Sequence, residues 1–490
     1  MTPPAAAMTT KNWTTPKAMA REFASDLGDR RLDARAAQVG VAVAKKPDRS
    51  LPGIFADNAQ LEGAYRLLSN PSVQWRDLFE PHRQASLQRA VERGEVLVLH
   101  DTTDVSFTRY WSDRNRKHMV STESRTQGFF AHTSLLATAL GPAMPLGVVD
   151  LQPFVQWKHA ETNDDTFAFW EQEGGLFPNE MARWGRAVEI SGESLAERGI
   201  GAIHVMDCEA DSYGLLSWMK GAGHRFVVRG DGTRKLKPVE PLREVGQLTA
   251  RLGDRFDLRN AKKVQAHPSR VARDATLHVR AGAVTLQRTA KSQDASWSPG
   301  GYAEQPKTLQ LNLVEVTEPN PPAGEKPVHW LLLTTEPVET TAQVLQIVEY
   351  YRRRWLIEEF FKSLKTGCGL EERQMDSMAA MLRMLALLLP AAWRLLVLRT
   401  LAVEDPNAKW DVILTPLEFR LLAGRLRQLK HKLRLTTGAT VAECQLGIAA
   451  LGGHLQRNGA PGWQTLHAGW RELQTMCLGV QVFLEDAIDD

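Results

Sequence analysis

The sequence predicts an α/β core that carries a β-rich stretch and is flanked at both ends by helical segments. Three observations lead there. Apolar runs at 96–99 and 200–206 have the length of buried strands, and each runs into an aspartate, Asp101 and Asp207. Residues 18–90, and the chain from 340 onward, carry helical periodicity. Between them, 225–337 is rich in β-formers, Gly and Pro.

The elements follow in order. Residues 1–18 are expected to be disordered. Helices are predicted over 20–27, 32–43, 59–68 and 73–89, punctuated by Gly28-Asp29 and Asn70-Pro71. Arg30, Arg31, Arg35, Lys45, Lys46, Arg49 and Arg66 recur at turns and helix starts, a pattern suited to gripping phosphates. Taken singly, each reads more simply as solvated surface charge. Strand 96–99 ends at His100-Asp101-Thr102-Thr103. A strand group follows at 129–154, turning at Gly141-Pro142 and Met144 to Gly147, then helices at 166–170 and 180–198. Strand 200–206 ends at Asp207-Cys208-Glu209-Ala210-Asp211, before a helix at 213–220. The segment 225–229 opens the β-rich insertion, with alternating segments at 275–279 and 308–316 and a polar loop at 292–306. These boundaries divide the chain into 1–90, 91–375 and 376–490.

Bulk properties bound the function. At 490 residues there is room for two to four domains, and 43% hydrophobic with 24% charged residues is ordinary for a folded soluble protein. A net charge of +3 hardly argues for nucleic acid by itself, so such a case rests on where cations cluster. Cys208, Cys368, Cys444 and Cys477 stand far apart, which disfavours a disulfide framework or zinc site and points to a reducing cytoplasm. The N-terminus lacks the apolar core of a signal peptide. The apolar run 384–393 is bounded by Arg383 and Arg394 and interrupted by Pro390, and is too short to span a bilayer. No membrane partner is expected.

The most informative segment places Tyr351, Arg354, Glu358 and Lys365 in the order Y-x2-R-x3-E-x6-K. At roughly 100° per residue these side chains, with Lys362, fall within an arc of about 80° on a helix. Leu356, Ile357, Phe360, Phe361 and Leu364 occupy the opposite arc. One face can dock on a core; the other sets a carboxylate among a phenol and cations, as a ligand for metal beside a polyanion requires. The ordinary alternative is an amphipathic helix with i,i+4 ion pairs.

Asp101 and Asp207 follow apolar strands, at the rim where α/β sheets build sites. With Glu358 they make three carboxylates from two strands and a helix. Hard cations such as Mg²⁺ take oxygen ligands, and such a set suits two ions about 4 Å apart, one activating a nucleophile and one stabilising a leaving oxygen. That chemistry serves phosphodiester hydrolysis and transesterification. Each aspartate alone reads more simply as a turn or helix cap, and Asp104, Glu209 and Asp211 are nearby alternatives.

In order along the chain, Asp101-Thr-Thr, Asp207-x-Glu-Ala-Asp211 followed by 225–229, and the Tyr351–Lys365 signature resemble the bacterial DDE cut-and-paste transposases of the insertion-sequence-four family, of the Tn-five kind. The likeness covers nearly the whole chain. Around Leu27-Gly-Asp-Arg-Arg31 and Glu62-Gly-Ala-Tyr-Arg66 it extends to that family's transposase DNA-binding domain, implying DNA contacts by Arg30, Tyr65 and Arg66. The resemblance implies a ribonuclease-H-like catalytic core with a β-rich insertion, helical N-terminal DNA-binding and C-terminal dimerisation domains, and a triad of Asp101, Asp207 and Glu358 binding two Mg²⁺ ions, for which Mn²⁺ substitutes. It implies nicking of the transferred strand by water, a hairpin intermediate, and joining of freed 3′ ends to target DNA. Tyr351, Arg354, Lys362, Lys365 and Arg229 would contact DNA near the scissile bond. A hairpin needs an unstacked base, and Trp330 matches the family tryptophan that stacks on it, with Trp355 a second aromatic. The sequence departs from its relative at 129–130, where tryptophans give way to Phe129 and Phe130; Phe130 would stack more weakly.

At the C-terminus, Trp463, Leu466, Trp470, Leu473, Cys477, Val480 and Leu484 form an a/d seam. It serves either the domain's own packing or, as the resemblance implies, pairing of subunits into a DNA-bound homodimer. Arg420, Arg425, Arg427, Lys430, Lys432 and Arg434 form a basic stretch expected to be helical. The implied partners are double-stranded DNA at terminal inverted repeats and at the target, in a bacterial cytoplasm and on its nucleoid. A metal-dependent nuclease on the same core, or a descendant kept only for DNA binding, are the competing readings.

Overall fold

The computed structural model describes residues 16–107, 120–123, 126–156, 164–173, 175–177, 180–232, 234, 236–252, 273–288, 305–325, 327–455 and 460–489. The expected disorder over 1–15 and most of the polar loop at 292–306 lie outside them. Residues 16–18 are helical, in Pro16–Arg21.

One mixed sheet organises the fold. Its strands are β1 (Glu95–Ser106), β2 (Val120–Glu123), β3 (Thr126–Thr138), β4 (Pro145–Gln156), β5 (Leu176–Phe177), β6 (Gly201–Met206), β7 (Arg225–Arg229), β8 (Lys237–Pro238), β9 (Arg243–Leu252), β10 (Arg273–Gln287), β11 (Thr308–Thr317) and β12 (His329–Thr334). The order is β5-β4-β3-β1-β6-β7-β12-β11-β10-β8, with β2 on β3 and β9 on β10. At its centre β1, β6 and β7 run parallel, and these strands read as unbroken apolar runs because both faces are covered.

The β-rich stretch joins the core sheet: β7 pairs in parallel with β6, and β12 pairs with β7, so its strands prolong that sheet. Backbone groups at the β7 edge had to be paired, and β12 supplies the partner. One expectation needs correction: Asp101 does not follow the end of its strand. β1 runs on to Ser106, held by antiparallel pairing to β3 with Asp101 opposite Thr133, whereas its parallel pairing with β6 stops at Leu99. Asp101 therefore lies where β1 has outrun its parallel neighbour.

Helices cover this sheet and tie the chain's ends to it. Asp29 and Asp57 accept backbone N–H groups to cap Arg30–Lys45 and Asn58–Ser69. Trp75–Val91 packs on β4 and on Met378–Glu404, so it stands with the core although the periodicity placed it in the N-terminal segment. Its His82 and Arg89 meet Glu22 in a fully enclosed cluster: His82 Nδ1 lies 2.5 Å and Arg89 2.6 Å from the carboxylate. The backbone N–H of Val148 donates to His82 Nε2, which assigns the ring proton to Nδ1 and the hydrogen bond to Glu22.

Met378–Glu404 has 27 residues and is apolar enough to cross a membrane by length, longer than the 384–393 run suggested; 94% of its apolar window is buried inside the protein. Arg30–Lys45, Asn58–Ser69, Trp75–Val91 and Val441–Leu451 all pack on it. Trp463–Asp489 crosses Val441–Leu451 so closely that a Cβ on Gly469 would stand 1.6 Å from the Ile448 carbonyl oxygen. That crossing decides the C-terminal seam. Trp463, Leu466, Trp470, Leu473 and Cys477 are buried in their own chain, so this part of the seam is internal, while the side chain of Leu484 lies outside the described residues. The basic stretch is also only partly helical: Pro416–Gln428 carries Arg420, Arg425 and Arg427, and Lys430, Lys432 and Arg434 lie on the loop after it.

Candidate active site

The signature segment builds the site. Thr340 and Gln343 form a capping box that starts Thr341–Arg353. The helix tightens by a turn at Arg354 and resumes as Trp355–Lys362, and Ser363–Gly367 is a π turn. The backbone N–H of Cys368 donates to Ser363 O at 2.8 Å, five residues back. Leu356, Ile357, Phe360, Phe361 and Leu364 are all buried, as the apolar arc predicted. The polar arc is not the single face an ideal helix would present. Only Arg354 touches Glu358 directly; Lys362 pairs with Glu359, and the π turn carries Lys365 to Asp104 (3.0 Å) and Glu371 (3.5 Å).

Arg354 is the keystone. Its guanidinium donates to Asp101 Oδ2 at 2.8 Å and to Glu358 Oε1 at 2.6 Å, joining β1 to the signature helix. Asp207, directly after β6, accepts the Glu209 N–H and caps the 3₁₀ turn Cys208–Ala210, and it lies within electrostatic reach of both Asp101 and Arg354. Burial first, with repulsion from Asp207 and Glu358 adding to it, pushes the Asp101 carboxyl up to about 7 against the pull of Arg354. Burial works against the Arg354 charge as well, but Asp101, Tyr351, Glu358 and Asp207 outweigh it and hold the guanidinium more firmly protonated than usual.

The other candidate carboxylates are engaged elsewhere. Asp211 is enclosed and pairs with Arg234, Asp104 faces Lys365, and Glu209 is exposed. Arg229 at the end of β7 donates to Cys208 Sγ at 3.0 Å, beside Asp207 and Tyr351. Tyr351 is buried, and Trp330 packs edge-on against it at 5.3 Å. Trp355 is 37% exposed, with the Lys362 ammonium 5.1 Å over its ring. Phe130 stacks on Phe154 at 5.2 Å, half-buried rather than presented to solvent.

Residues 16–73 match the transposase DNA-binding family, and residues 192–393 match the transposase DDE domain. These are transposase domains. The DNA-binding match contains Arg30, Tyr65 and Arg66, all exposed, with Arg66 paired to Glu62. The DDE match contains Asp207, Arg229, Trp330 and the whole signature segment, whereas Asp101 and Phe130 precede it on strands that the sheet brings alongside. The two matches support a transposase, an enzyme that acts on DNA, and DDE transposase domains generally use divalent metal ions.

The residues present suit such an ion. Hard cations take carboxylate oxygens, and Asp101, raised by burial first and by repulsion from Asp207 and Glu358, is a carboxylate that nearby positive charge would relieve. Among the described residues no three such side chains already converge on one point, because the Arg354 guanidinium stands between Asp101 and Glu358. Arg354 supplies the positive charge that stands between these two carboxylates.

Some functional partners left no sign in the sequence. Glu371 fixes Lys365 and accepts the Ser106 N–H, a pairing across 265 positions. His100, next to Asp101 on β1, and His204 on β6 hydrogen-bond at 2.9 Å and are held neutral by burial. Glu359 is the exception: a glutamate between buried Leu356 and Phe360 signals an enclosed partner.

Proposed function

We propose that the chain is a cut-and-paste DNA transposase of the insertion-sequence-four kind, with a ribonuclease-H-like core, acting as a homodimer on two transposon ends in the bacterial cytoplasm. One observation carries the reading: Arg354 bridges Asp101 and Glu358 with Asp207 within electrostatic reach, which brings carboxylates from β1, the end of β6 and the signature helix around one guanidinium.

Asp101, Asp207 and Glu358 would hold Mg²⁺ or Mn²⁺, two ions per site. When bound, the ions supply activation of the attacking oxygen and stabilisation of the leaving one. The chain's own residues do the rest. Arg354 and Arg229 neutralise the scissile phosphate, and Lys365 and Lys362 hold the strand beside it. Water attacks phosphorus at the transposon end and loses a proton, the P–O3′ bond breaks to leave a 5′-phosphate, and the departing 3′-oxygen takes a proton to become a hydroxyl. That hydroxyl attacks a phosphorus of the opposite strand, whose P–O3′ bond to the flanking DNA breaks, and a hairpin results with the flanking 3′-hydroxyl as leaving group. Water attacks the hairpin phosphorus, breaking its P–O3′ bond to free the transposon 3′-hydroxyl and leave a 5′-phosphate. The freed 3′-hydroxyl attacks a target phosphorus and displaces the target's own 3′-hydroxyl. Trp330, with Trp355 at the rim, offers a stacking face for the base that the hairpin displaces.

The test uses a labelled duplex bearing the terminal repeat read from DNA flanking the gene, with Mg²⁺ and a supercoiled plasmid. The expected result is cut ends joined to plasmid. Ends that are cut but never joined leave a nuclease, and ends that are bound but never cut leave a DNA-binding protein.

Outside both matched segments, the loop after Pro416–Gln428 presents Lys430, Lys432 and Arg434 to solvent while His431, Leu433 and Leu435 lean inward. Lys430 keeps a left-handed backbone (φ 53°) where glycine is the relaxed choice. In extended chain, alternate residues repeat at about 7 Å, twice the 3.4 Å rise per nucleotide of one strand. A Lys430→Gln/Lys432→Gln/Arg434→Gln variant is expected to flatten the salt dependence of duplex binding by about 0.9 for each phosphate it no longer neutralises. Titrations of non-specific duplex across salt concentrations measure it.

A further inference from the structure

The residue beside the proposed metal ligand Glu358 has a different environment. Glu359 is fully buried, and its two oxygens serve separate parts of the chain. Oε1 accepts from Lys362 Nζ at 2.8 Å. Oε2 accepts from the indole N–H of Trp463 at 2.9 Å and lies 3.4 Å from Arg399 Nε. Arg399 belongs to the buried helix Met378–Glu404 and Trp463 opens the C-terminal helix, where the Arg399 guanidinium lies 4.9 Å over the Trp463 ring. One turn further, Gly367 of the π turn meets the same C-terminal helix: a Cβ there would stand 1.9 Å from His467 Nε2.

A buried carboxylate is costly unless its charge is met, and this one is met from three directions. Simple packing of the signature helix on the C-terminal helices needed only another leucine. A glutamate instead sets the direction of Lys362. An ammonium has three donors: Glu359 takes one, Trp355 lies 5.1 Å from it, and the side chain stays 37% exposed, which leaves donors for a partner from solution. A free lysine stem would lose rotamer entropy on gripping a phosphate, whereas this one is ordered beforehand.

We infer that Glu359 is a positioning residue that sets Lys362 against the DNA strand being cut and locks the catalytic helix to the C-terminal helix through Trp463 and Arg399. It acts through Lys362 and touches neither metal nor DNA. The inference rests on the transposase reading and deepens it, because it makes the C-terminal helices part of the catalytic apparatus.

The experiment is a double-mutant cycle in the full-length protein, with Glu359→Gln, Lys362→Met and the pair. Single-turnover nicking of the end duplex with Mg²⁺, end binding and thermal midpoint are measured for each. Glu359→Gln keeps the shape and an acceptor for Trp463, and is expected to slow nicking by about ten- to hundredfold while end binding stays within a few-fold. In the Lys362→Met background the same change is expected to cost almost nothing further. Trp463→Phe removes the N–H donor, together with part of the ring under Arg399, and its cycle with Lys362→Met carries the same test should Glu359→Gln fail to fold. Additive losses in the cycle, nicking by Glu359→Gln equal to wild type, or losses that track the thermal midpoint would overturn the inference while leaving the transposase standing. Wild-type protein that binds ends without nicking them would overturn the transposase reading, and the inference with it.

Discussion

Alanine at Asp101, Asp207 or Glu358 is expected to abolish end cutting, by about a thousandfold or more, because removing one member of a catalytic unit costs nearly as much as removing all. End binding should survive, since Arg30, Tyr65 and Arg66 lie on a separate helical segment. The structure adds a sharper expectation for Asp101→Asn. The carboxylate is buried and repelled by Asp207 and Glu358, so stability is lost as pH rises from 3.8, its ordinary value, to about 7, and the full cost of the charged form is present above that. Asparagine removes that charge, keeps an acceptor for the Thr102 N–H, and leaves Arg354 paired with Glu358. At pH 8 the variant should therefore melt no lower than wild type, and higher if repulsion dominates, while its nicking is lost. Differential scanning calorimetry beside a nicking assay decides the point. A marked fall in melting temperature would give Asp101 a structural role.

The second large effect concerns stability. Glu22→Ala is expected to cost about 3–5 kcal/mol, the range for breaking a buried ion pair by removing one partner. It leaves Arg89 and His82 enclosed without their carboxylate, at the joint between Pro16–Arg21, Trp75–Val91 and β4. Denaturant unfolding measures the cost; a change under about 1 kcal/mol, the worth of an exposed pair, would contradict it.

The same joint has a pH signature. Burial first lowers His82 below its ordinary value of 6.5, and it does the same to His100, His132 (to about 3), His204, His224 and His467. These groups are neutral when folded and take up protons on unfolding, so their contribution is present above about 6.5 and declines as pH falls. Glu22 is also lowered, against the cost of its burial, by Arg89 and His82; its share persists to below 4.5. Asp101 and Asp150, raised to about 7 and about 6, oppose this slope, but the histidines outnumber them. The melting temperature should fall between pH 7 and pH 5.

The sequence was most legible where a single segment carries its own pattern. The arc of Leu356, Ile357, Phe360, Phe361 and Leu364 predicted the buried face, and the apolar runs at 96–99 and 200–206 predicted β1 and β6. It was least legible where a contact joins distant positions. Asp101 meets Arg354 across 253 positions, and Lys365 reaches Asp104 across 261 because a π turn shifts its phase, which a 3.6-residue period cannot foretell. The C-terminal seam had two possible partners, and burial against Val441–Leu451 chose the internal one.

By itself the sequence determined most of the elements and pointed to a kind of chemistry: apolar strands running toward aspartates, and a helix whose greasy arc is buried beside a glutamate and several cations. Periodicity and side-chain chemistry are local properties, and they can be read in order along the chain. Tertiary structure alone decided the rest. It extended β1 past Asp101, joined the β-rich stretch to the core sheet, set Arg354 between two carboxylates and turned Glu359 toward the C-terminal helix. Those outcomes depend on which buried charges and unpaired backbone groups find partners once the chain has closed, and closure is settled by the whole fold.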